Sequence, residues 1–303
     1  MYVAKIENKR GNILTLTQNE TAYQIVRIDG LNPPNAQINT LTMASIDGAR
    51  FNSSKLLTRE IVLTIQLNGG GTIVEENRQK LYRYFPTKEW CKFYYKNNHR
   101  DVFIEAYVES VEVSPFDNAQ QMQVAILCCE PYFKGIEMIV DDISKRIPCF
   151  EFPFAFGSNG ATNPGVISDL STDDAIPFSE IQVDRVTHVY NDSESECGMI
   201  IDTYILHPIT KLNIQNTETG EFLELDYEFL EGDEVIINTN LGQKSITLIR
   251  NGISSNLFIA LVKGSTFFQL ALGDNFFGFT LNEGADDGYV SILFKHYTVY
   301  RGV

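Results

Sequence analysis

The strongest hydrophobic pattern in the chain lies in residues 58–133. Ile61, Leu63, Ile65 and Leu67 alternate with Glu60, Thr64, Gln66 and Asn68, a period of two that predicts a strand with one buried face. Gly69, Gly70 and Gly71 interrupt it. Thr72 and Glu75 then stand at capping-box spacing and predict a helix start. Val74, Leu81, Tyr82 and Phe85 recur at helical spacing, so one stripe should be buried, and Pro86 ends the helix. Strands are expected at 93–95 and 102–113. In the second, Val102, Ile104, Ala106 and Val108 share a face before Val111 and Val113 take over. That change of phase predicts a bulge or bend near Glu109 and Ser110. A turn at 115–118 leads back through Met122, Val124, Ile126 and Cys128.

Upstream, short strands are expected at 13–16 and 23–28, followed by a loop carrying Pro33-Pro34 and a second loop over 47–54, where Asp47-Gly48 signals a turn. Downstream of about residue 148 the texture is all-β. Phe150, Phe152, Phe154 and Phe156 alternate with smaller or polar residues, and Pro153 places that strand at an edge or bulge. Residues 157–178 are rich in Ser, Asn, Gly, Asp and Pro without a pattern and read as an extended loop or mobile arm. Short strands then recur at 181–190, 199–206, 211–216, 221–229, 234–238, 245–249, 257–262, 266–271, 276–281 and 289–299. The turns between them include Thr219-Gly220, Glu231-Gly232-Asp233, Leu241-Gly242, Asn251-Gly252 and Asp287-Gly288. This spacing predicts a sandwich or jelly roll.

The order of features over 58–133 resembles the N-terminal domain of the siphophage distal tail protein family. The resemblance is carried by the RxIxLxIxLxG strand from Arg59 to Gly69, the short Arg/Leu helix before an aromatic-Pro turn, and the closing CCEPYF that ends at Phe133. It implies a mainly β protein: an α+β N-terminal β-sandwich domain with one helix over 1–135, a linker at 136–147, and an all-β galectin-like or jelly-roll sandwich over 148–303. It implies a structural virion protein, made in the host bacterial cytoplasm and residing at the tail tip. There it would form a hexameric ring that joins the tail tube to the baseplate or host-recognition apparatus. The implied partners are further copies of the chain, the tail tube protein, a tail-associated fibre or lysin protein and, as an additional candidate, host glycan. The family also implies a protruding β-hairpin that embraces the neighbouring subunit. Carried onto residues 38–57, it makes Ile38, Leu41, Met43, Ile46, Phe51, Leu56 and Leu57 the subunit-interface candidates. These are more apolar groups than a free loop should show. The alternative is an ordinary hairpin packed on its own domain.

Charge sharpens the division into halves. Residues 1–100 hold 14 Lys/Arg against 8 Asp/Glu, a net +6, whereas residues 101–303 hold 10 against 31, a net −21. An acidic second half would repel phosphates, so nucleic-acid sequence recognition is not expected. It suits either solubility or docking to a basic partner. No apolar run reaches about 18 residues, so no membrane insertion is expected, and the first residues lack an apolar signal core. At 44% hydrophobic and 12% aromatic, the chain can fill two cores.

Chemistry is sparse. Cys91, Cys128, Cys129, Cys149 and Cys197 lack metal spacing, and adjacent Cys128 and Cys129 should face opposite ways. His99, His188, His207 and His296 are isolated from one another, and neither a nucleophile elbow nor a phosphate loop is present. The clusters Asp192, Glu194, Glu196 and Glu283, Asp286, Asp287 have the composition for calcium or glycoside chemistry, but they sit in polar turn sequence. Tyr190, Tyr204, Tyr227 and Phe267 are aromatic candidates for stacking on sugar. No enzyme, cofactor or metal is therefore expected. The alternative to an assembly protein is a carbohydrate-binding adhesion module for host cell-surface glycans, and a glycan hydrolase ranks third. A fragment of residues 1 to about 135 is expected to form rings by itself.

Overall fold

A computed structural model describes residues 2–19, 22–43, 47–114, 120–148, 179–183, 186–285 and 287–303. The expected turn at 115–118, the aromatic strand at 150–156, the loop at 157–178, and Ile46, Cys149 and Asp286 lie outside the described residues. The described chain is mainly β. It divides into two compact units: unit 1 is Met1–Ile139, Asp192–Cys197 and Tyr297–Val303, and unit 2 is Val140–Asn191 and Gly198–His296.

Unit 1 contains strands β1 (Val3–Asn8), β2 (Ile13–Leu16), β3 (Tyr23–Asp29), β4 (Ala36–Thr42), β5 (Ala49–Leu56) and β6 (Arg59–Leu67). Helix α1 (Thr72–Tyr84) follows, then β7 (Trp90–Lys96), β8 (Asp101–Val113), β9 (Gln121–Cys128) and most of β10 (Phe133–Asp142). Antiparallel pairing gives the order β3-β6-β9-β8-β7-β1-β2, while β10 joins β8 at Phe103 and Val102. In the β6–β9 register, Ile61 faces Ile126, Leu63 faces Val124 and Ile65 faces Met122. All six are fully buried. Cross-strand pairs of this kind fix the register, because a slip of one residue would turn the whole apolar set to water. The ladder between β8 and β9 shifts between Val108 and Ser110, where the change of hydrophobic phase predicts a bulge. Strand β1, with Ala4, Ile6 and Asn8 buried, has no counterpart in the sequence reading.

The helix departs from expectation at both ends of its buried stripe. Its N-cap is Gly71, with no side-chain cap hydrogen bond. Thr72 is thus already the first helical residue, one position too late for its hydroxyl to serve the cap, and the capping box does not form. Glu75 turns instead to Arg78 and accepts from Gln79 at 3.2 Å. The inward stripe is Val74, Asn77 and Leu81, with Phe85 buried at the C-cap, whereas Tyr82 is 38% exposed. Asn77 is tolerated inside because its amide donates to the carbonyls of Asn68 (3.2 Å) and Ala22 (3.3 Å). At the other end, Asn8 donates to the Arg83 carbonyl, one of the last-turn acceptors a helix leaves open.

Unit 2 contains β11 (Ser144–Pro148), β12 (Ser179–Val183), β13 (Val186–Asn191), β14 (Ile200–Ile205), β15 (Ile209–Asn216), β16 (Phe222–Phe229), β17 (Glu234–Asn238), β18 (Ser245–Arg250), β19 (Ile253–Asn256), β20 (Gly273–Leu281) and most of β21 (Val290–Tyr300). One sheet has the order β13-β20-β15-β16. A second runs β19-β18-β17-β14-β21, and β11 pairs with β12. Most strands of both sheets alternate buried and open positions; β14 and β20 each carry three consecutive buried residues, and β19 is exposed throughout. Phe268, Phe277 and Phe294 stack in series at 5.2 and 5.1 Å in the interior. Asn251-Gly252 makes the two-residue turn between β18 and β19, as the sequence indicates.

Several expected elements are corrected. Residues 49–54 form most of strand β5 and not a loop, because Asp47-Gly48 turns the chain earlier. The expected strands at 257–262 and 266–271 are absent; Phe258–Ala260 is a 3-10 turn, and 266–271 is irregular. Their apolar residues fill the interior from loops, with Leu257, Phe268 and Leu270 buried. Residues 136–147, read as a linker, carry the body of β10 and most of β11. No described helix is long and apolar enough to cross a membrane.

Candidate functional site

Strands β4 and β5 form a two-stranded antiparallel ribbon whose register pairs Ala36 with Leu56, Ile38 with Ser54 and Leu41 with Arg50. A shift between Asn39 and Thr40 leaves Asn52 as the extra residue of a bulge. Every described side chain from Ala36 to Lys55 is exposed. Ile38 is 63% exposed and Phe51 61%, and Leu41, Met43 and Leu57 are also open; Leu56, at the base, is half-buried. The pleat puts Ile38 and Phe51, the latter opposite Thr40, on one face. Leu41 and Met43 fall on the other. Two-stranded ribbons are marginal in water by themselves, so a ribbon carrying apolar side chains on both faces is built to be covered.

The ribbon is rooted firmly in unit 1. At its base the Leu57 amide donates to the Asn35 carbonyl at 2.9 Å. Two residues on, Arg59 is only 3% exposed. Its Nε donates to the Pro131 carbonyl (2.8 Å), one Nη to those of Gly30 (2.5 Å) and Asn32 (2.6 Å), and the other Nη to that of Arg301 (2.5 Å). The guanidinium also lies 4.5 Å from the centre of the Phe133 ring. Burial lowers its pKa from the usual arginine value, and the adjacent Cys128 acts the other way. Arg59 was missed as a functional residue, although its parity with Ile61, Leu63 and Ile65 already put it on the buried face.

Elsewhere the candidate chemistry is dispersed. Cys91, Cys128 and Cys197 are free and buried. Burial pushes the thiols of Cys91 and Cys128 up to about 12 and that of Cys197 to about 11, so none is a reactive thiolate. Cys129 is exposed, opposite in burial to Cys128. His99 is exposed in a turn, His188 meets Asp274 at 2.7 Å on the surface, and His207 packs on Tyr289 at 4.8 Å. His296 is buried, and neither ring nitrogen makes a well-formed hydrogen bond among the described residues. Among the described residues no group of three or more His, Cys, Asp or Glu is placed to hold a metal. In the first acidic cluster, Glu194 is drawn away into contacts with Arg100 (2.6 Å) and the Arg301 amide (2.8 Å). Burial opposes its ionisation, but those two donors hold its carboxyl below the usual range. The aromatic candidates are separated: Tyr190 on β13, Tyr204 on β14, Tyr227 on β16, and Phe267 in the segment before β20.

Comparison with known proteins supplies context for the two units. Residues 12–128 match the model of the phage tail protein RIFT-related domain, and residues 192–296 match that of the siphovirus-type tail component C-terminal domain. Among solved structures, the chain resembles SPP1 Dit, described as a paradigm of the hub adsorption apparatus in phages that infect Gram-positive bacteria. The TM-score is 0.66 at 13% identity, over 98% of this chain and 99% of that one. It also resembles a chain of the phage P2 baseplate in its activated conformation with Ca, with a TM-score of 0.52 at 13% identity over 98% of each chain. A chain of the same baseplate with Sr matches at 0.52 and 12% identity, again over 98% of each. No curated protein matches by sequence.

Proposed function

We propose that this chain, which belongs to the siphophage distal tail protein family, acts as a hexameric ring closing the end of the phage tail tube. It is a structural component of the virion tail, a hub protein of the tail and baseplate kind, assembled after synthesis in the host cytoplasm. Unit 1 is the ring-forming part, one face of the ring meeting the tail tube protein and the other a fibre- or lysin-bearing protein. Unit 2, a galectin-like sandwich in this reading, stands at the rim. The observation that carries it is the β4–β5 arm, which leaves Ile38, Leu41, Met43 and Phe51 open on both faces of a ribbon. These residues, with Ile46, Leu56 and Leu57, would lie against the neighbouring copy. Stable specific interfaces bury on the order of 1,600 Å² in total, an area an arm of this length can supply only by lying along a partner.

The test is the mass of the purified chain in solution by light scattering, with negative-stain images of the particles. Six-membered rings with a central channel are expected, and Ile38→Asp with Phe51→Asp should convert them to monomers without lowering the melting temperature. A parent chain that stays monomeric both at high concentration and in the assembled tail would refute the reading.

A further inference from the structure

The root of the arm has two sides. Residues 30–35 lead into it and residues 57–59 lead out. Neither side is held by its own strand alone. One Arg59 Nη reaches the carbonyls of Gly30 and Asn32 on the incoming side, and the other reaches Arg301, 242 positions away in sequence. The same distant stretch touches the incoming side directly: the Val303 amide donates to the Leu31 carbonyl at 3.1 Å. Gly302 fits so closely that a Cβ there would lie 2.9 Å from Pro33 Cδ and 3.1 Å from its nitrogen.

A second arginine closes this stretch from behind. Arg100 donates to the Gly302 carbonyl and to Glu194, and its guanidinium sits 4.3 Å from the centre of the Tyr300 ring. Glu194 also accepts from the Arg301 amide, and the Glu194 amide donates to the Val299 carbonyl at 2.9 Å. Ser193 accepts from the Val299 amide at 2.9 Å. Residues 193–194 and 299–303 therefore form one small hydrogen-bonded body within unit 1, set against the base of the arm.

Arg59 has no carboxylate partner among these contacts. Its charge is solvated by four backbone carbonyls from three separate stretches, Gly30 and Asn32, Pro131, and Arg301, and by the aromatic face of Phe133 beside Pro131. A buried cation tolerates few missing partners, so the three stretches come together or not at all. Lysine, a single nitrogen on a flexible stem, cannot span them.

We propose that Arg59 and residues 299–303 are a latch that sets the root of the β4–β5 arm, so that a chain presents its arm to a neighbouring copy only after residues 299–303 have docked. This rests on the reading of the arm as the subunit contact. Because the closing contact joins positions so far apart, it forms after the local hairpins, which keeps partly folded chains out of the assembly.

Hydrogen exchange on the full chain tests the latch. The Leu57 amide reports the root, and the amides of Leu63 and Val124 report the core. Gly302→Val, which pushes the latch off Pro33, should raise exchange at Leu57 by about tenfold or more while the core amides keep their protection. Arg59→Lys should do the same, and both should lower the oligomer fraction in proportion. Unchanged exchange at Leu57 in Gly302→Val would overturn the proposal. So would a parallel loss of core protection, which would make these residues general stabilisers, or a loosened root with undiminished assembly. The exchange readout needs no assembly: a parent chain that never oligomerises refutes the ring reading, and the latch is then judged on Leu57 alone.

Discussion

Gly30 and Glu60 meet across the root of the arm so closely that a Cβ on Gly30 would lie 2.1 Å from the Glu60 carbonyl oxygen. Gly30 also has φ +91, a left-handed conformation that costs a side chain on the order of 1–2 kcal/mol before any clash. Gly30→Ala should therefore destabilise unit 1 by roughly 2 kcal/mol or more, read from the urea midpoint. A variant as stable as the parent would show that the root rearranges freely.

The helix offers a graded test. Leu81 and Phe85 are buried, so Leu81→Ala and Phe85→Ala should each cost roughly 2–5 kcal/mol through the cavity they leave. Tyr82, which the spacing alone would bury, is exposed, and Tyr82→Ala should stay within about 1 kcal/mol. Equal losses at all three positions in chemical denaturation would contradict the observed stripe.

Acid should weaken unit 2 through His296. Burial lowers the pKa of this ring, opposed by Asp141 and the Tyr190 backbone. A histidine depressed in the folded state costs nothing above its unfolded value of about 6.5; stability is lost as pH falls below that value and through the folded one. Asp141 runs the other way: burial raises its carboxyl pKa, so the penalty it imposes applies at neutral pH and is relieved in strong acid. The melting temperature of unit 2 should drop as the pH falls below about 6.5, and His296→Leu should flatten that slope. An unchanged slope in the variant would assign the acid sensitivity elsewhere.

A fragment ending near residue 135 tests the division of the chain. The sequence reading expects it to assemble by itself. Such a fragment lacks the Arg301 carbonyl that Arg59 uses and the Gly302 carbonyl and Glu194 carboxylate that Arg100 uses. It should unfold at lower denaturant than unit 1 in the full chain, and adding residues 192–303 back in one chain should restore the midpoint. Equal midpoints would show that unit 1 does without those segments.

Much of this protein is written locally. The alternation of Ile61, Leu63, Ile65 and Leu67 determined a one-faced strand. The phase change after Val108 determined the β8 bulge, and Asn251-Gly252 a tight turn. Each is a periodicity or turn preference that neighbours in sequence enforce on one another. Other features needed the fold. Asn77 replaced Tyr82 in the helix stripe because two carbonyls, of Ala22 and Asn68, wait for its amide. Leu257, Phe268 and Leu270 fill the interior from loops, since burial asks only that a side chain reach the core, not that its backbone be a strand. Above all, the carbonyl cage of Arg59 joins positions 30, 32, 131 and 301. Carbonyl oxygens belong to every residue and leave no mark in the sequence, so only the tertiary structure could decide which of them surround that charge.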